Sequence, residues 1–415
     1  MNRGLAFLGL AVVSLSPLYG QNEETGSVAD QATHQQVGTI TLEADAPMNI
    51  NAFCLNKKGQ IVAACGVGPG QIRIADDSGR VLKAWDIAVK PEAVNVAPDG
   101  TVLVGGEGKL FRFSADGKLL LEADSPHATA LRSDTKKLRE EAIAYLDRSS
   151  NSLGNMKARI EAYEQIITQL EEKEELNENE ERMLEMLPKT LETFKEQYAI
   201  QEAAKKESGE EEPGISEEAI QDQIENLLKS KMRISSVSGD ENNVFVATND
   251  IVGYGFAIWK TSKDFSGGET IVSGLRGCCG QMDVQCCKNG LFVAENSRHR
   301  VVRFDASGEE TTNWGGRDRT GVEGFSSCCN PMNVCFNGAN EVYTAESGSG
   351  RIKKFDADGK FLSYVGDVEL VPGCKNVSIA ATADGEKVYM LDLTRNHIVL
   401  MKSKSLAADL AAAGE

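Results

Sequence analysis

Short runs of β-branched and aromatic residues recur along most of the chain, each followed by glycine, aspartate or asparagine. The runs IVAA (61–64), TVLV (101–104), VFVA (244–247), LFVAE (291–295), VYTAE (342–346) and VYMLD (388–392) hold one position of a repeat. QIRIADDSG, KLFRFSADG, AIWKTSKDFSGG, RVVRFDASG and RIKKFDADG hold the next, and HIVLMKSKS ends the last unit. Four to six apolar residues between turn formers read as strands. The turn glycines Gly79 and Gly117 are 38 residues apart, Gly267 and Gly308 are 41 apart, and Gly308 and Gly359 are 51 apart. Four strands per unit at this period predict an all-β fold, a six-bladed β-propeller. The sixth unit lacks its outermost strand. The stretch GTITLE (38–43) has the alternation to supply it, so that an N-terminal strand closes the ring.

The period changes once. From Gly117 to Gly267 the spacing is 150 residues, and the excess lies in 127–232. There Leu184, Leu187, Leu191, Phe194 and Tyr198 step by three and four, as do Ile160, Tyr163, Ile167 and Leu170. Asn177 or Asn179 suits a helix N-cap, Pro188 suits a kink, and a last helix starts near Ser216 with Glu217 and Glu218 in its first turn. This predicts an inserted α-helical hairpin or coiled coil, about 37 Å long for 25 residues. The resulting organisation is a signal peptide at 1–20, a disordered leader at 21–37, blades one and two with the closing strand at 38–126, the insertion at 127–232, blades three to six at 233–403, and an Ala-rich tail at 404–415. In a propeller the connections between blades lie on one face, so the insertion should share a face with the loops before units four to six.

The repeat resembles the NHL family, whose phrase runs P-x-G-I-A-V-D, V-A-D, N-x-R-I-x-K-F-D-x-x-G. It stands best as PMNVCFNGANEVYTAESGSGRIKKFDADG, Pro331 to Gly359, and next best as QMDVQCCKNGLFVAENSRHRVVRFDASG, Gln281 to Gly308. The resemblance spans 38–125 and 233–403. It implies the propeller and, by itself, no activity.

Composition and charge narrow the partners. A net charge of -18 excludes a nucleic-acid backbone as the natural partner. The insertion carries 15 Lys and Arg against 25 Asp and Glu, so -10 of that charge lies there. The start, MNRGLAFLGLAVVSLSPLYGQ, has one Arg and then an uncharged run that is short for a membrane span. It reads as a secretory signal cut near Gly20, with a retained anchor as the alternative. The expected location is periplasmic or extracellular, with no integral membrane segment after cleavage.

In an exported chain, ten cysteines raise three readings. CCGQMDVQCC holds Cys278, Cys279, Cys286 and Cys287; CCNPMNVC holds Cys328, Cys329 and Cys335; Cys374 takes the corresponding place before unit six. Disulfides between blades, together with buried cysteines acting as small apolar residues, form the first reading. A thiolate metal site of Cys278, Cys279, Cys328, Cys329 and Cys374 is the second, suited to zinc, copper(I) or iron–sulfur. No haem-attachment spacing and no twin-arginine signal occur. A catalytic thiol is the third, with few histidines to serve it. Asp283, Asn333 and Asn376 stand where the family phrase has glycine, with Asn49 near the same place in unit one. In gluconolactonase-like propellers such oxygens hold a divalent cation, which would suit calcium; they also cap loops. Amidating-lyase propellers use three channel histidines, and the four here, His34, His127, His299 and His397, form no such set in the repeat. Arg300 and Arg351 read as inter-strand contacts.

Two functions follow. One is a non-catalytic binding scaffold whose propeller face and helical arm engage a protein or a glycan, with the coiled coil a route to homo-oligomers. The other is a metal-dependent lactonase- or lyase-type enzyme with its site at the channel mouth.

Overall fold

The computed structural model describes residues 31–407 apart from 44–45, 151, 174, 209–214, 319–320 and 327–328. The expected signal peptide, most of the expected leader, Cys328 and the end of the tail lie outside those residues. Six four-stranded antiparallel sheets follow one another along the chain, the arrangement of a six-bladed β-propeller. Their innermost strands are Ile50–Leu55, Ala93–Val96, Ile234–Gly239, Asp283–Cys287, Asn333–Phe336 and Ile379–Ala381. The sixth sheet draws its outermost strand from the N-terminus: His34–Ile40 pairs antiparallel with His397–Ser403, with Ile40 opposite Ile398. This strand begins at His34, before the GTITLE stretch, so 34–37 belong to the sheet and not to a disordered leader.

Burial explains the sequence pattern. The second strand of each blade is covered on both faces, so IVAAC (61–65) and VLVGG (102–106) are buried throughout and read as continuous apolar runs. The outermost strands, such as Leu119–Asp124, are largely exposed. Six apolar clusters each join two neighbouring blades. Val62, Ala64, Ile72 and Ile74 meet Val94, Val104, Phe111 and Phe113 between blades one and two. A sixth cluster puts Ile50, Phe53 and Ile61 of blade one against Tyr389, Leu391 and Ile398 of blade six. The Asp-x-x-Gly turns recur for a physical reason. In two of them, Asp76 Oδ1 accepts from the amides of Ser78 and Arg80, and Asp305 Oδ1 from those of Ser307 and Glu309. The turn glycine then has positive φ and packs closely: at Gly117, with φ +88°, an added Cβ would lie 2.7 Å from the Trp85 ring.

Between blades two and three come five helices: α1 (Pro126–Ser133), α2 (Thr135–Ser150), α3 (Ser152–Glu171), α4 (Glu178–Ser208) and α5 (Glu217–Lys231). The insertion is therefore more than a hairpin. Buried His127, Ala128, Leu131, Leu138, Ala142, Ile220 and Lys231 seat α1, α2 and α5. Helix α3 packs on α4, with Tyr163 and Phe194 ring centroids 5.7 Å apart. Asn177 caps α4 reciprocally: its Oδ1 accepts from the Glu180 amide at 3.1 Å and its own amide donates to Glu180 Oε2 at 3.2 Å. Ser216 caps α5 through the Ala219 amide. Pro188 lies inside α4, which continues through it.

Candidate functional site at the channel mouth

The inner strands surround a central channel, and each blade is tied to the next by a polar bond at this level. Asn51 Nδ2 donates to the Pro91 carbonyl (2.8 Å), and Glu92 Oε2 accepts from the Ile234 amide (3.0 Å). Ser235 Oγ accepts from the Met282 amide (2.6 Å), and Asp283 Oδ2 accepts from the Val334 amide (2.8 Å). Asn333 Oδ1 accepts from the Ile379 amide (3.0 Å), and Ser378 Oγ accepts from the Phe53 amide (3.4 Å). Five of these bonds satisfy backbone amides in or beside the inner strands, and the Asn51 bond satisfies a carbonyl. Two further links cross the channel. Asn95 Nδ2 donates to Gln285 Oε1 at 2.8 Å, and the Gln281 amide pairs with both the N–H and the C=O of Val377.

A cavity of about 200 Å³ remains among these groups, lined by Asn51, Glu92, Arg233, Gln281, Asp283 and Asn376 with others. None of the four histidines is among its lining residues. Asp283 is buried and its other oxygen accepts from Ser236 Oγ (2.7 Å) and Gln285 Nε2 (3.0 Å). Burial pushes its carboxyl up to about 6, with those bonds offsetting only part. Burial also raises Glu92, whose Oε2 additionally accepts from the Glu107 amide. Asp283 and Asn333 thus use their oxygens to hold neighbouring blades together. Asn376, with its amide nitrogen donating to the Cys279 carbonyl (3.1 Å), accepts from Arg233 Nη2 at 2.5 Å. Asn376 and Arg233 therefore stand beside the cysteines.

The cysteines divide into two groups. Cys278, Cys279 and Cys329 come together, their Sγ atoms all within 4.8 Å of one another. Cys278 and Cys279 sulfurs are 3.4 Å apart, Cys279 and Cys329 are 3.7 Å apart, and Cys374 lies 3.1 Å from Cys329. All four sit on connections between blades, at one mouth. Asn296, fully buried, fixes the first doublet: its Oδ1 accepts from the Cys278 amide (2.7 Å) and its Nδ2 donates to the Gln281 carbonyl (2.9 Å). Burial and the Cys278 thiol push Cys279 up to about 11. The second group is Cys54, Cys286 and Cys335, lower on the inner strands, and each is raised by burial, Cys54 and Cys286 to about 12. Cys65 is fully buried in the blade one core, and Cys287 packs beside Phe292 and Trp314.

The sequence reading passed over several polar residues. Arg233 and Glu92 each directly precede an inner strand, a position that their flanking residues do not mark. The acids Glu295 and Asp392 end second strands and Glu346 directly follows one, and their recurrence in LFVAE, VYTAE and VYMLD is a signal that could have found them. Arg300 Nε donates to Glu295 Oε2 at 2.6 Å and Arg351 pairs with Glu346 at 3.1 Å, so both arginines bind the neighbouring strand.

No family model and no curated protein matches this chain. Among solved structures it is similar to a virginiamycin B lyase from Staphylococcus aureus, at 11% identity and a TM-score of 0.42, covering 88% of this chain and 98% of that one. It is similar to a gluconolactonase from Xanthomonas campestris at 8% identity and a TM-score of 0.43, covering 89% and 98%. It is also similar to a protein of unknown function from Bacteroides caccae at 13% identity and a TM-score of 0.40, covering 77% and 82%. Likenesses this weak carry no argument about activity, and the propeller rests on its six sheets.

Proposed function

We propose that this protein is an exported propeller acting as a non-catalytic binding module, with a protein partner docked on the mouth face. One observation carries the reading. Val67, Val252, Tyr254 and Leu393 are 78%, 56%, 76% and 36% exposed, and all lie on loops between second and third strands. Those loops share a face with the connections between blades: Arg276, in the connection before blade four, donates to the Tyr254 carbonyl, and Lys231 at the end of α5 donates to that of Gly253. Exposed apolar side chains on these loops offer apolar area to a protein partner on that face. The engagement of Asp283, Asn333 and Glu92 by backbone amides argues against the lactonase- or lyase-type alternative, which needs groups at liberty to bind substrate or move protons. The N-terminal apolar run supports export.

The test is affinity capture from an extracytoplasmic extract of the source cells, comparing wild type with Val252→Asp/Tyr254→Ala. Both substitutions are on an exposed loop and should leave circular dichroism unchanged. A partner retained by wild type and lost by the variant is the expected result. Identical capture by the two proteins would sink the proposal.

A further inference from the structure

Five of the ten cysteines stand on the connections preceding blades four, five and six, and four of them are within the described residues as one sulfur cluster. We propose that Cys278, Cys279 and Cys329 ligate one thiophilic d10 cation, zinc(II) or copper(I), at the channel mouth, with Cys374 beside Cys329 at its edge. The inference is separate from partner binding and does not depend on it.

The spacing decides first. Metal–sulfur bonds of about 2.3 Å in a tetrahedron set ligand sulfurs about 3.8 Å apart. The sulfurs of Cys278–Cys279 and Cys279–Cys329 are 3.4 and 3.7 Å apart, and all three pairs fall within 4.8 Å. A disulfide needs about 2.05 Å between two sulfurs, well short of the 3.4 and 3.7 Å found here. A cation between them uses all three alike.

The framework is built to hold this arrangement. Cys279 has φ +57° and Gly280 φ +69°, two successive left-handed residues. A non-glycine side chain there is strained and persists only where its surroundings hold it. Asn296 supplies that hold by binding both ends of the Cys278–Gln281 turn. The Arg233 guanidinium packs on Gly280 so closely that a Cβ would collide with it. Arg233 thus places a fixed positive charge beside ligands that become anionic on binding. Cys329 and Met332 are fully buried in one cluster with Cys278 against it, so the inner side of the site is soft and apolar. Hard cations such as calcium are disfavoured by such donors, and thiophilic ones are favoured. Each thiol releases its proton to solvent as it binds, so no redox step is involved.

The experiment uses the full mature chain, purified reduced and anaerobically. Zinc(II) is titrated against a chromophoric chelator, and copper(I) against a copper(I)-selective chelator. One equivalent of either ion withheld from its competitor is expected, and which one is withheld identifies the cation. Cobalt(II) in its place should give the intense near-ultraviolet band of thiolate coordination. Loss of one ligand should cost more than the 10–100-fold typical of outer-shell changes, so Cys279→Ser and Cys329→Ala should each weaken binding by more than about 100-fold. Cys287→Ala, outside the cluster, should leave it unchanged. If a ligand variant misfolds, removal and return of the ion on wild type, followed by the cobalt band, still decides. Withholding neither ion, or equal retention by the Cys279 and Cys329 variants, would overturn the proposal. So would a mass lighter by the hydrogens of disulfides joining these four residues in protein purified without reductant.

Discussion

Asp283 Oδ2 lies 2.8 Å from the Val334 amide nitrogen and joins blade four to blade five in the middle of the ring. Its Oδ1 accepts from Ser236 Oγ of blade three, so one buried carboxylate links three blades. Asp283→Ala leaves an amide and a hydroxyl facing an apolar methyl, with an expected cost of about 2–4 kcal/mol. Asp283→Asn keeps an acceptor for Val334 and can donate to Ser236, which already donates to the Val284 carbonyl. It should lose less than half as much. Urea unfolding of the two variants checks the order; equal losses would show that the acceptor is not what matters.

Asp283 also sets a pH dependence. Its folded value of about 6 lies above the ordinary 3.8, so the native state holds more protons between those values. Its contribution is complete below about 4 and declines as pH rises through 6, by on the order of 3 kcal/mol. His127, buried at the start of α1 with Nδ1 2.7 Å from Ser125 Oγ, acts in the opposite sense. Burial lowers it from 6.5 to about 4, so its neutral form favours the fold above 6.5, and that stability is lost as pH falls toward 4. The two slopes oppose each other between about pH 4 and 6. Asp283→Asn should therefore make stability rise with pH in that window, and His127→Gln should make it fall. Parallel profiles for wild type and both variants would refute the assignment.

The blades were legible because their second strands are sandwiched and therefore apolar in runs, and because the Asp-x-x-Gly turn repeats where the backbone needs it. The helices were legible from their spacing and from the caps at Asn177 and Ser216. The strand His34–Ile40 was missed at its start because it exposes Gln35 to Thr39, leaving no alternation to read. The meeting of Cys278, Cys279, Cys329 and Cys374 was visible in the aligned doublets. What Asp283 and Asn333 do was not visible, since a side chain aimed at a ligand and one aimed at the next blade's amide occupy the same position in the repeat. Arg233 gave no signal because the insertion hides its place before blade three.

A buried ion pair lay equally out of sight. Lys353 Nζ is 2.7 Å from Glu346 Oε1, both side chains are fully buried, and the ammonium stands 4.3 Å from the Phe325 ring centroid. Burial draws the lysine down, and Glu346 opposes that. Glu346→Ala would leave Lys353 and Arg351 without their carboxylate, at a cost of about 3–5 kcal/mol. Lys353→Met should cost less, because Glu346 keeps Arg351 and the Ser326 amide and hydroxyl. A double-mutant cycle measures the coupling. A coupling energy near zero would mean that the pair is only a packing contact.

Helices α3 and α4 should open without the propeller. Among the described side chains only Ile160 and Leu170 are buried in this pair, both on α3. Their mutual contact includes Tyr163 against Phe194, the Arg159 guanidinium 4.6 Å over the Phe194 ring and an exposed Lys195–Glu164 ion pair at 2.6 Å. Such a weakly buried segment is expected to unfold as its own unit. Phe194→Ala removes the shared ring and should cost the helix pair about 1–3 kcal/mol, less than a core aromatic because the site is half-exposed. The three tryptophans, Trp85, Trp259 and Trp314, all stand on blades and none on α3 or α4, so their fluorescence reports the propeller and not this helix pair. In Phe194→Ala the helical circular dichroism should melt earlier and limited proteolysis within 152–208 should quicken, while the tryptophan transition stays where it is in wild type. A tryptophan midpoint that moved together with the helical signal would mean that the insertion and the propeller unfold as one body.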